Sequence, residues 1–257
     1  HIAGNLCNMK EIKMLADSYG VKIIEDAAHA FPSETAEGYA GTLGDAGVFS
    51  FYATKTITTG EGGMVCTNDK KIADTVRTLR MHGIDRNVWD RYTSNGASWL
   101  YDVIQSGFKC NMPDILAAIG REQLKKARTL FEERKKIAAR YTAAFKNCDF
   151  LECPPDGEGN AWHLYLLRIR AQKLSINRDE FCRLLQQKGI NISMHFIPHF
   201  YFTFFKKRYR LNAVNFPHAQ KQYESTITLP LWPGMSEEAV DRVIKTVTEI
   251  GKNNYEV

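Results

Sequence analysis

The chain has 257 residues, of which 44% are hydrophobic and 25% charged, and its formal net charge is +5. This size and composition suit one substantial core or two unequal cores. No apolar run approaches membrane-spanning length and the N-terminus lacks a signal-peptide pattern, so we expect a cytoplasmic protein with no membrane partner. A mild positive charge without a recognisable module argues against nucleic-acid binding.

The first part of the chain alternates helical and strand-like patterns, which predicts an α/β layer. Apolar residues at helical spacing predict a helix over Met9–Tyr19, with Gly20 as its C-cap. A short apolar run at residues 21–24 predicts a buried parallel strand, and Asp26 follows its carboxyl end, where open α/β sheets place ligand groups. Further strands are predicted at residues 46–51 and 64–67, and further helices at Lys70–Leu79 and at residues 113–145, with Pro113 in the first turn.

A break at residues 153–157, which contains Pro and Gly, is the predicted boundary between a larger domain (residues 1–150) and a smaller one (residues 151–257). The smaller domain mixes helical and strand-like patterns, as an α+β unit does. Its predicted elements are strands at residues 163–169 and 190–195, a helix to residue 188 with the capping-box pair Asn177 and Glu180, and a terminal helix to about residue 250 capped by Ser236.

The six cysteines show no paired CxxC spacing: Cys7, Cys66, Cys110, Cys148, Cys153 and Cys182. We therefore expect neither a disulfide framework nor a bound metal. Buried free thiols are the expected state, because free cysteine is usually part of a core.

The densest positive cluster consists of Lys206, Lys207 and Arg208 with Arg210, and it lies among aromatic residues. Two interpretations stay open. In the simpler interpretation the cluster is a solvated surface turn, and in the more specific interpretation it contacts a diphosphate.

A carboxylate and a lysine each follow an apolar strand: Asp26 follows the first and Lys55 the second. Pyridoxal 5′-phosphate (PLP) chemistry needs both groups, because the ring nitrogen must stay protonated and the aldehyde must meet a primary amine. An isolated Asp would more often cap a turn, and an isolated Lys would more often be a solvated surface charge. The neighbouring residues decide between these interpretations.

Three segments carry a resemblance to a known family: residues 25–29 (EDAAH), 50–55 (SFYATK) and 60–63 (GEGG). In residue identity and order they resemble the DegT/DnrJ/EryC1/StrS family of sugar-nucleotide aminotransferases, and the resemblance continues through nearly the whole chain. The resemblance implies an α/β fold, with part of the large domain of a type I (aspartate aminotransferase-like) PLP-dependent transferase followed by a small α+β domain. The GEGG segment lacks the ending of a phosphate loop, so we interpret it as a tight turn beside the lysine loop.

The resemblance also implies a PLP site. Lys55 would form the Schiff base with PLP and shuttle the proton, for which its pKa must fall from about 10.4 through desolvation. Asp26 would hold the ring nitrogen and His29 would reach the phenolic oxygen. Ala28 would pack under the ring, and the hydroxyl of Ser50 would bind the phosphate.

By the same resemblance, residues 107–112 reach across a dimer interface to the neighbouring subunit's cofactor phosphate. Many family members carry Asn at the position of Lys109 and Arg at the position of Asn111, so either residue could make this contact. His195 would lie near the sugar-nucleotide site. The implied assembly is a homodimer with shared active sites.

Family members begin with a further segment of the large domain, which holds a turn that grips the PLP phosphate and an aromatic ring that stacks over the cofactor. This chain opens at His1 with HIAGN, which resembles a sequence near the middle of that domain. We therefore expect a fragment of a longer enzyme, with a naturally shortened protein as the alternative. Alone, such a chain is expected to be sticky and poorly stable.

The primary prediction is an aminotransferase that moves an amino group from an amino acid, with glutamate as the expected donor, to a nucleotide-linked keto-sugar in polysaccharide or related sugar biosynthesis. The alternative is a truncated, catalytically incomplete relative that acts as a binding or assembly partner. A sugar dehydratase is a third hypothesis, but such relatives commonly replace the active lysine with histidine, and Lys55 argues against it. The sequence leaves the sugar, the nucleotide and the aminated position open.

Overall fold

The computed structural model describes residues 1–85 and 101–256. The chain forms two compact units: the first contains residues 1–128 with 158–161, and the second contains residues 129–157 with 162–257. The predicted domain boundary at residue 150 falls inside the second unit, and the division into domains at that point stays a prediction.

The first unit is built around a three-stranded sheet of order β1-β4-β5, in which β1 and β4 are parallel and β4 and β5 are antiparallel. A short antiparallel pair, β2 and β3, lies outside this sheet. The strands are β1 (Ile24–Asp26), β2 (Glu34–Thr35), β3 (Gly38–Tyr39), β4 (Ala46–Ser50) and β5 (Gly63–Cys66). The helices are α1 (Met9–Tyr19), α2 (Lys70–Leu79) and the first part of α3 (Asp114–Phe145), which continues into the second unit.

The predicted bounds of α1 and α2 are confirmed, and their caps show why these helices begin and end where they do. The side chain of Asn8 accepts from the N–H of Glu11, and Asp69 caps α2 in the same way. Gly20 closes α1 in a left-handed conformation, as predicted.

The first strand differs from the prediction in its bounds and in its burial. Its ladder begins at Ile24, which pairs with Ala46, and Asp26 is its last residue. The carbonyl of Ile23 instead accepts from the N–H groups of Asp45 and Ala46, outside the ladder. The parallel pairing is confirmed, but Ile24 is 71% exposed, so this face of the strand is not buried.

The second unit contains an antiparallel sheet of order β6-β7-β8, with helices packed around a single apolar core. Its strands are β6 (Leu151–Glu152), β7 (Tyr165–Ile169) and β8 (Thr226–Leu229). Its helices are the second part of α3 with α4 (Arg178–Gln187), α5 (Thr203–Tyr209), α6 (Pro217–Ser225) and α7 (Glu237–Asn253). The side chains of Tyr141, Leu167, Phe181, Ile227 and Val247 are fully buried in this core.

The strand predicted at residues 190–195 is wrong. Ser193 and Thr228 exchange two backbone hydrogen bonds of 3.2 and 2.9 Å, but this pair is an isolated bridge. The ladder of β8 runs along β7 instead, from Thr226 to Leu229. The segment at residues 190–195 therefore contacts the edge of the sheet only at Ser193 and does not form a strand of it.

The predicted caps in the second unit are confirmed in part. Asn177 accepts from the N–H of Glu180 at 2.9 Å, but the carboxylate of Glu180 binds Arg183, so the reciprocal half of the capping box is replaced by an ion pair. Ser236 accepts from the N–H of Ala239 at 3.2 Å and begins α7 as predicted.

All six cysteines are free thiols, which agrees with the expectation of no disulfides. The expectation that they are buried holds only for Cys182, since Cys7 and Cys110 are exposed and the others are half-buried. Within residues 1–85 and 101–256, no group of three or more His, Cys, Asp or Glu side chains is arranged to hold a metal ion. In the same part of the chain no helix is long and apolar enough to cross a membrane.

Candidate active site

The ends of β1 and β4 place two of the predicted site residues on one face of the sheet. Asp26 pairs with Val48, and the N–H of Ala27 continues the pairing to the carbonyl of Val48 at 2.9 Å. Ser50 follows Val48 by two residues on the same strand, so the pleat turns its side chain to the same face as Asp26. Both groups therefore lie at the carboxyl edge of a parallel strand pair, where α/β proteins bind ligands.

Lys55 is carried by a loop that leaves β4 and returns to β5. The N–H of Phe51 donates to the carbonyl of Gly62 at 2.8 Å, and the N–H of Thr59 donates to the carbonyl of Phe51 at 2.9 Å. Within the loop, the N–H of Lys55 donates to the carbonyl of Tyr52 at 3.0 Å. These bonds close the base of the loop and hold the lysine in a turn directly beyond the strand.

Gly62 is the glycine that this loop requires. Its φ is +152°, and a Cβ there would lie 2.5 Å from Oγ1 of Thr59 and 2.8 Å from Cε of Met112. The interpretation of residues 60–63 as a tight turn beside the lysine loop is therefore supported, because the turn needs a residue without a side chain at this position.

The environment of Lys55 changes the basicity of its amine. Partial burial lowers the pKa of Lys55 from its usual value, and the negative charge of Asp26 opposes this by raising it. Burial is the larger of the two effects, so the amine releases its proton more readily than a solvated lysine does. The charge of Asp26 thus acts on the amine of Lys55.

The turn after β1 positions Asp26, Ala28 and His29. Oδ1 of Asp26 accepts from the N–H of Ala28 at 3.0 Å, and this carboxylate is exposed. Nδ1 of His29 accepts from the N–H of Ala3 at 3.3 Å. A neutral imidazole that accepts at Nδ1 carries its proton on Nε2, so Nε2 of His29 is the donor nitrogen.

Glu25 is a residue that the sequence reasoning did not single out. Its buried carboxylate accepts from the N–H groups of Gly41, Leu43 and Gly44 at 2.7, 2.6 and 2.5 Å, and from His1 at 2.9 Å. Strand alternation could have revealed it, because a residue next to Asp26 must point to the opposite face. Its bonds tie the N-terminal segment and a loop to the strand that ends at Asp26.

The described residues fit PLP in their chemistry. An amine with a lowered pKa matches the aldehyde, and a carboxylate matches a protonated ring nitrogen. An imidazole with its donor on Nε2 matches the phenolic oxygen, and the hydroxyl of Ser50 on the face of Asp26 matches the phosphate.

Lys109 and Asn111, the two candidates for a phosphate contact, lie side by side. The amine of Lys109 donates to Oδ1 of Asn111 and lies 3.8 Å from Sδ of Met81. The segment is held by backbone bonds, including the one from the N–H of His82 to the carbonyl of Phe108 at 2.9 Å. Which of the two contacts a phosphate stays a prediction.

His195 lies in the second unit, beside β8. Its Nδ1 is 2.8 Å from Oγ1 of Thr228, and its ring meets Phe196 edge-on at 4.8 Å between centroids. These contacts fix the orientation of the imidazole. Its assignment to the substrate stays a prediction.

Comparison with known proteins shows to which family the chain belongs. The family model described as the DegT/DnrJ/EryC1/StrS aminotransferase family matches residues 1–248. The chain belongs to this family. The predicted resemblance is thereby confirmed over nearly the whole chain.

Two curated relatives are similar along almost all of this chain. MJ1066 of Methanocaldococcus jannaschii is 44% identical over 256 residues, which is 99% of this chain and 66% of that protein. The spore coat polysaccharide biosynthesis protein SpsC of Bacillus subtilis is 41% identical over 255 residues, which is 98% of this chain and 65% of SpsC. The chain thus spans slightly less than two thirds of the length of either relative.

Solved structures agree on the fold and on the cofactor of the DegT/DnrJ/EryC1/StrS family. Spr1654 of Streptococcus pneumoniae, solved in PMP and PLP forms, is 27% identical to this chain, with TM-scores of 0.87 and 0.85. The matches cover 98% of this chain and 68% and 67% of those chains. The predicted fold class is confirmed, and PLP is the cofactor that aminotransferases of this family use.

Proposed function

We propose that this chain is part of a PLP-dependent aminotransferase that transfers an amino group from an amino acid to a nucleotide-linked keto-sugar. The observation that carries the proposal is the amine of Lys55, whose pKa burial lowers while the charge of Asp26 acts on it. Family membership supports the class of reaction. The chain spans slightly less than two thirds of its curated relatives, so the activity and the substrates are proposed for this protein.

The residues of the first unit would have separate roles in the reaction. When bound, PLP supplies an aldehyde that accepts amines and a ring that draws electrons from a neighbouring C–H bond. Lys55 is the base, because an amine with a lowered pKa can take a proton from the substrate carbon and return it. The negative charge of Asp26 would keep the ring nitrogen protonated.

The remaining residues would orient the cofactor. His29 would donate from Nε2 to the phenolic oxygen, since its Nδ1 already accepts from Ala3. The hydroxyl of Ser50 would donate to the phosphate, and the small side chain of Ala28 would leave room for the flat ring. None of these roles needs a proton to be moved, so loss of any one should weaken cofactor binding more than it abolishes proton transfer.

Glutamate is the proposed amino donor and a nucleotide-linked keto-sugar the proposed acceptor. The name of SpsC supports polysaccharide biosynthesis as the context. The proposed compartment is the cytoplasm, which the free state of all six cysteines supports.

A homodimer with shared active sites is the proposed assembly, with Lys109 or Asn111 binding the cofactor phosphate of the second copy. Their proximity places an ammonium group beside an amide NH₂ group, and both groups can donate to a phosphate. Mixing a Lys55→Ala protein with a Lys109→Ala protein tests this. If sites are shared, mixed dimers regain activity that neither variant has, and Asn111→Ala in place of Lys109→Ala identifies which residue contributes.

The alternative of a binding-only, incomplete relative is not favoured, because the lysine, the carboxylate and the phosphate-binding hydroxyl of the family pattern are all present. The third hypothesis, a dehydratase, is likewise opposed by Lys55.

Covalent labelling with PLP is the test of the proposed function. The protein is incubated with PLP and reduced with borohydride, and its peptides are mapped by mass spectrometry. We expect PLP fixed as a secondary amine on Lys55, no such label in Lys55→Ala, and full labelling of Lys55 in the control Lys22→Ala. Label spread evenly over surface lysines would contradict the proposal.

A further inference from the structure

The lysine loop, residues 51–62, has an exposed half and a buried half. Residues 52–54, which precede Lys55, are exposed, and Lys55 itself is half-buried. The residues that follow it are mostly buried: Thr56, Ile57 and Thr59 are 7%, 5% and 3% exposed. The position of the lysine is therefore set by the second half of the loop, because that half is the part packed against the rest of the first unit.

The first turns of α3 lie directly against this buried half. Gly120 leaves no room for a side chain, because a Cβ there would lie 2.9 Å from Cγ2 of Thr59. Gln123 lies one helical turn further on the same face, and its Oε1 accepts from the N–H of Thr58 at 3.4 Å. Both residues belong to the part of α3 in the first unit. The loop thus meets the helix through a van der Waals contact at one residue and a hydrogen bond at its neighbour.

Thr58 also ties the buried half to both ends of the loop. Its hydroxyl donates to the carbonyl of Phe51, directly after β4, at 3.1 Å. The same hydroxyl accepts from the N–H of Gly60, in the turn toward β5, at 2.8 Å. Together with the bond to Gln123, Thr58 joins three segments of the unit. Lys55 precedes it by three residues, so the backbone that carries the lysine is held by these bonds.

We propose that Thr58 and Gln123 are positioning residues for Lys55, which hold the buried half of the loop on α3 and so fix where the amine lies. Neither side chain reacts, because each acts through the backbone that carries the lysine. The inference rests on the proposed function in one respect: the amine placed in this way is the one that meets PLP. Holding a reacting group in one place lowers the entropic part of a reaction barrier.

The partial burial of Lys55 gives this positioning a measurable consequence. Burial lowers the pKa of Lys55, and the charge of Asp26 opposes that effect. If the loop leaves α3, the amine becomes more solvated, its pKa rises, and a smaller fraction of it is neutral near pH 8. Loss of either positioning residue should therefore change the reactivity of the lysine, whereas loss of a comparable hydrogen bond elsewhere in the unit should lower stability alone.

Competitive acylation over a pH series, read by mass spectrometry, tests the proposal without PLP or a substrate. Thr58→Val keeps the shape of the side chain and removes the hydroxyl, and Gln123→Met keeps the length and removes the acceptor. In each variant the labelling rate of Lys55 at about pH 8, relative to its plateau at high pH, should fall by about threefold or more. Thr58→Ser keeps the hydroxyl and should restore this ratio to within about 1.5-fold of its native value.

Two matched controls remove the same groups outside the lysine loop. Thr67 has the bonding pattern of Thr58, since its hydroxyl donates to the carbonyl of Asp45 at 2.6 Å and accepts from the N–H of Asp69 at 3.0 Å. Thr67→Val should lower the thermal midpoint as Thr58→Val does, but should leave the Lys55 ratio within about 1.5-fold. Gln187→Met, at an exposed position of α4, should change neither measurement.

Three results would overturn the inference. The first is an unchanged Lys55 profile in either Thr58→Val or Gln123→Met. The second is an equal shift in Thr67→Val, which would mean that the whole unit loosens. The third is failure of Thr58→Ser to restore the profile, which would mean that the hydroxyl is not the cause.

Thermal midpoints verify that the variants are folded, and Gln123→Met, at a half-buried position, carries the test if Thr58→Val does not fold. The outcomes are separable from the PLP labelling of Lys55. A shifted acylation profile without PLP on Lys55 supports the positioning and contradicts the aminotransferase proposal. PLP on Lys55 with unshifted profiles does the reverse.

Discussion

Glu25 accepts a hydrogen bond from Nε2 of His1 at 2.9 Å, and both side chains are almost completely buried. Nδ1 of the same histidine accepts from the N–H of Cys7 at 3.1 Å, so the proton of a neutral ring lies on the nitrogen that faces Glu25. Asp26, the next residue, points to the opposite face and is exposed. Adjacent carboxylates on β1 therefore have separate roles: one holds the strand in place and the other faces the candidate site.

Replacing Glu25 tests this anchoring role. Glu25→Gln keeps an acceptor oxygen but turns an NH₂ group toward backbone donors, so we expect a loss of about 1–3 kcal/mol in the free energy of unfolding. Glu25→Ala, which leaves all of these donors unpaired, should cost about 3–5 kcal/mol. Urea denaturation measures both. Glu37→Gln, at an exposed position, is the control and should change stability by less than about 0.5 kcal/mol; equal stability of Glu25→Gln and this control would refute the anchoring role.

The pH dependence of Lys55 follows from its two opposing influences. Only the neutral amine reacts with an acylating reagent, and burial lowers the pKa of Lys55, so its labelling should begin at lower pH than that of an ordinary lysine. Asp26→Asn removes the charge that raises this pKa, so the labelling profile should move to still lower pH. Competitive labelling with mass spectrometry measures it.

Lys22 is the internal reference for that measurement. Its hydrogen bond and ion pair with Asp45 raise the pKa of Lys22, so its labelling should begin at higher pH than that of Lys55 and should not respond to Asp26→Asn. A shift of the Lys55 profile toward higher pH in Asp26→Asn would show that Asp26 does not act on this amine as a negative charge.

Local signals in the sequence predicted the parts of the fold that depend on neighbouring residues. Both ends of α1 and the start of α2 are fixed by Asn8, Gly20 and Asp69, which are caps that can be recognised without knowing the tertiary structure. The predicted strand at residues 190–195 failed because an apolar run does not specify which strand edge is available, and β8 already pairs with β7. Whether this segment forms a strand depends on tertiary pairing, which a local sequence pattern does not specify.

The same contrast between local sequence signals and tertiary contacts applies to the candidate site. Asp26 and Lys55 could be chosen from type, order and resemblance, and the structure adds that the charge of Asp26 raises the pKa of Lys55 against the larger effect of burial. The anchoring role of Glu25 depends on the loop at Gly41 to Gly44, whose approach no local pattern predicts. The helical setting of Lys206 to Arg208 was also missed, because a segment dense in aromatic and basic residues has no clear amphipathic period.

The lysine loop should be sensitive to a side chain at Gly62. Gly62→Ala places a Cβ against Thr59 and Met112 in addition to straining the backbone, so we expect a cost of about 2–4 kcal/mol. Gly60→Ala is the matched control: its φ is +82°, but a Cβ there meets nothing within 4 Å. This variant should cost only about 1–2 kcal/mol, the backbone contribution alone. Urea denaturation compares them, and equal costs would mean that the close approach at Gly62 is absent in solution.

The second unit offers a test of a single buried hydrogen bond. The hydroxyl of Tyr141, a fully buried side chain, donates to the carbonyl of Pro230 at 2.8 Å, and burial raises the pKa of Tyr141. Tyr141→Phe removes the donor and leaves the carbonyl unpaired, so the free energy of unfolding should fall by about 1–3 kcal/mol. Tyr255→Phe, which removes an exposed bond to Asp149, is the control and should cost less than about 0.5 kcal/mol.

Ultraviolet titration of the native protein checks the same assignment in a second way. Because burial disfavours the charged phenolate and raises the pKa of both Tyr141 and Tyr165, both should ionise at higher pH than an exposed tyrosine, and the high-pH part of the titration should shrink by one tyrosine in Tyr141→Phe. An unchanged titration, together with unchanged stability, would show that this hydroxyl is reached by water and that the core of the second unit is looser around α3 than the contacts of Tyr141 indicate.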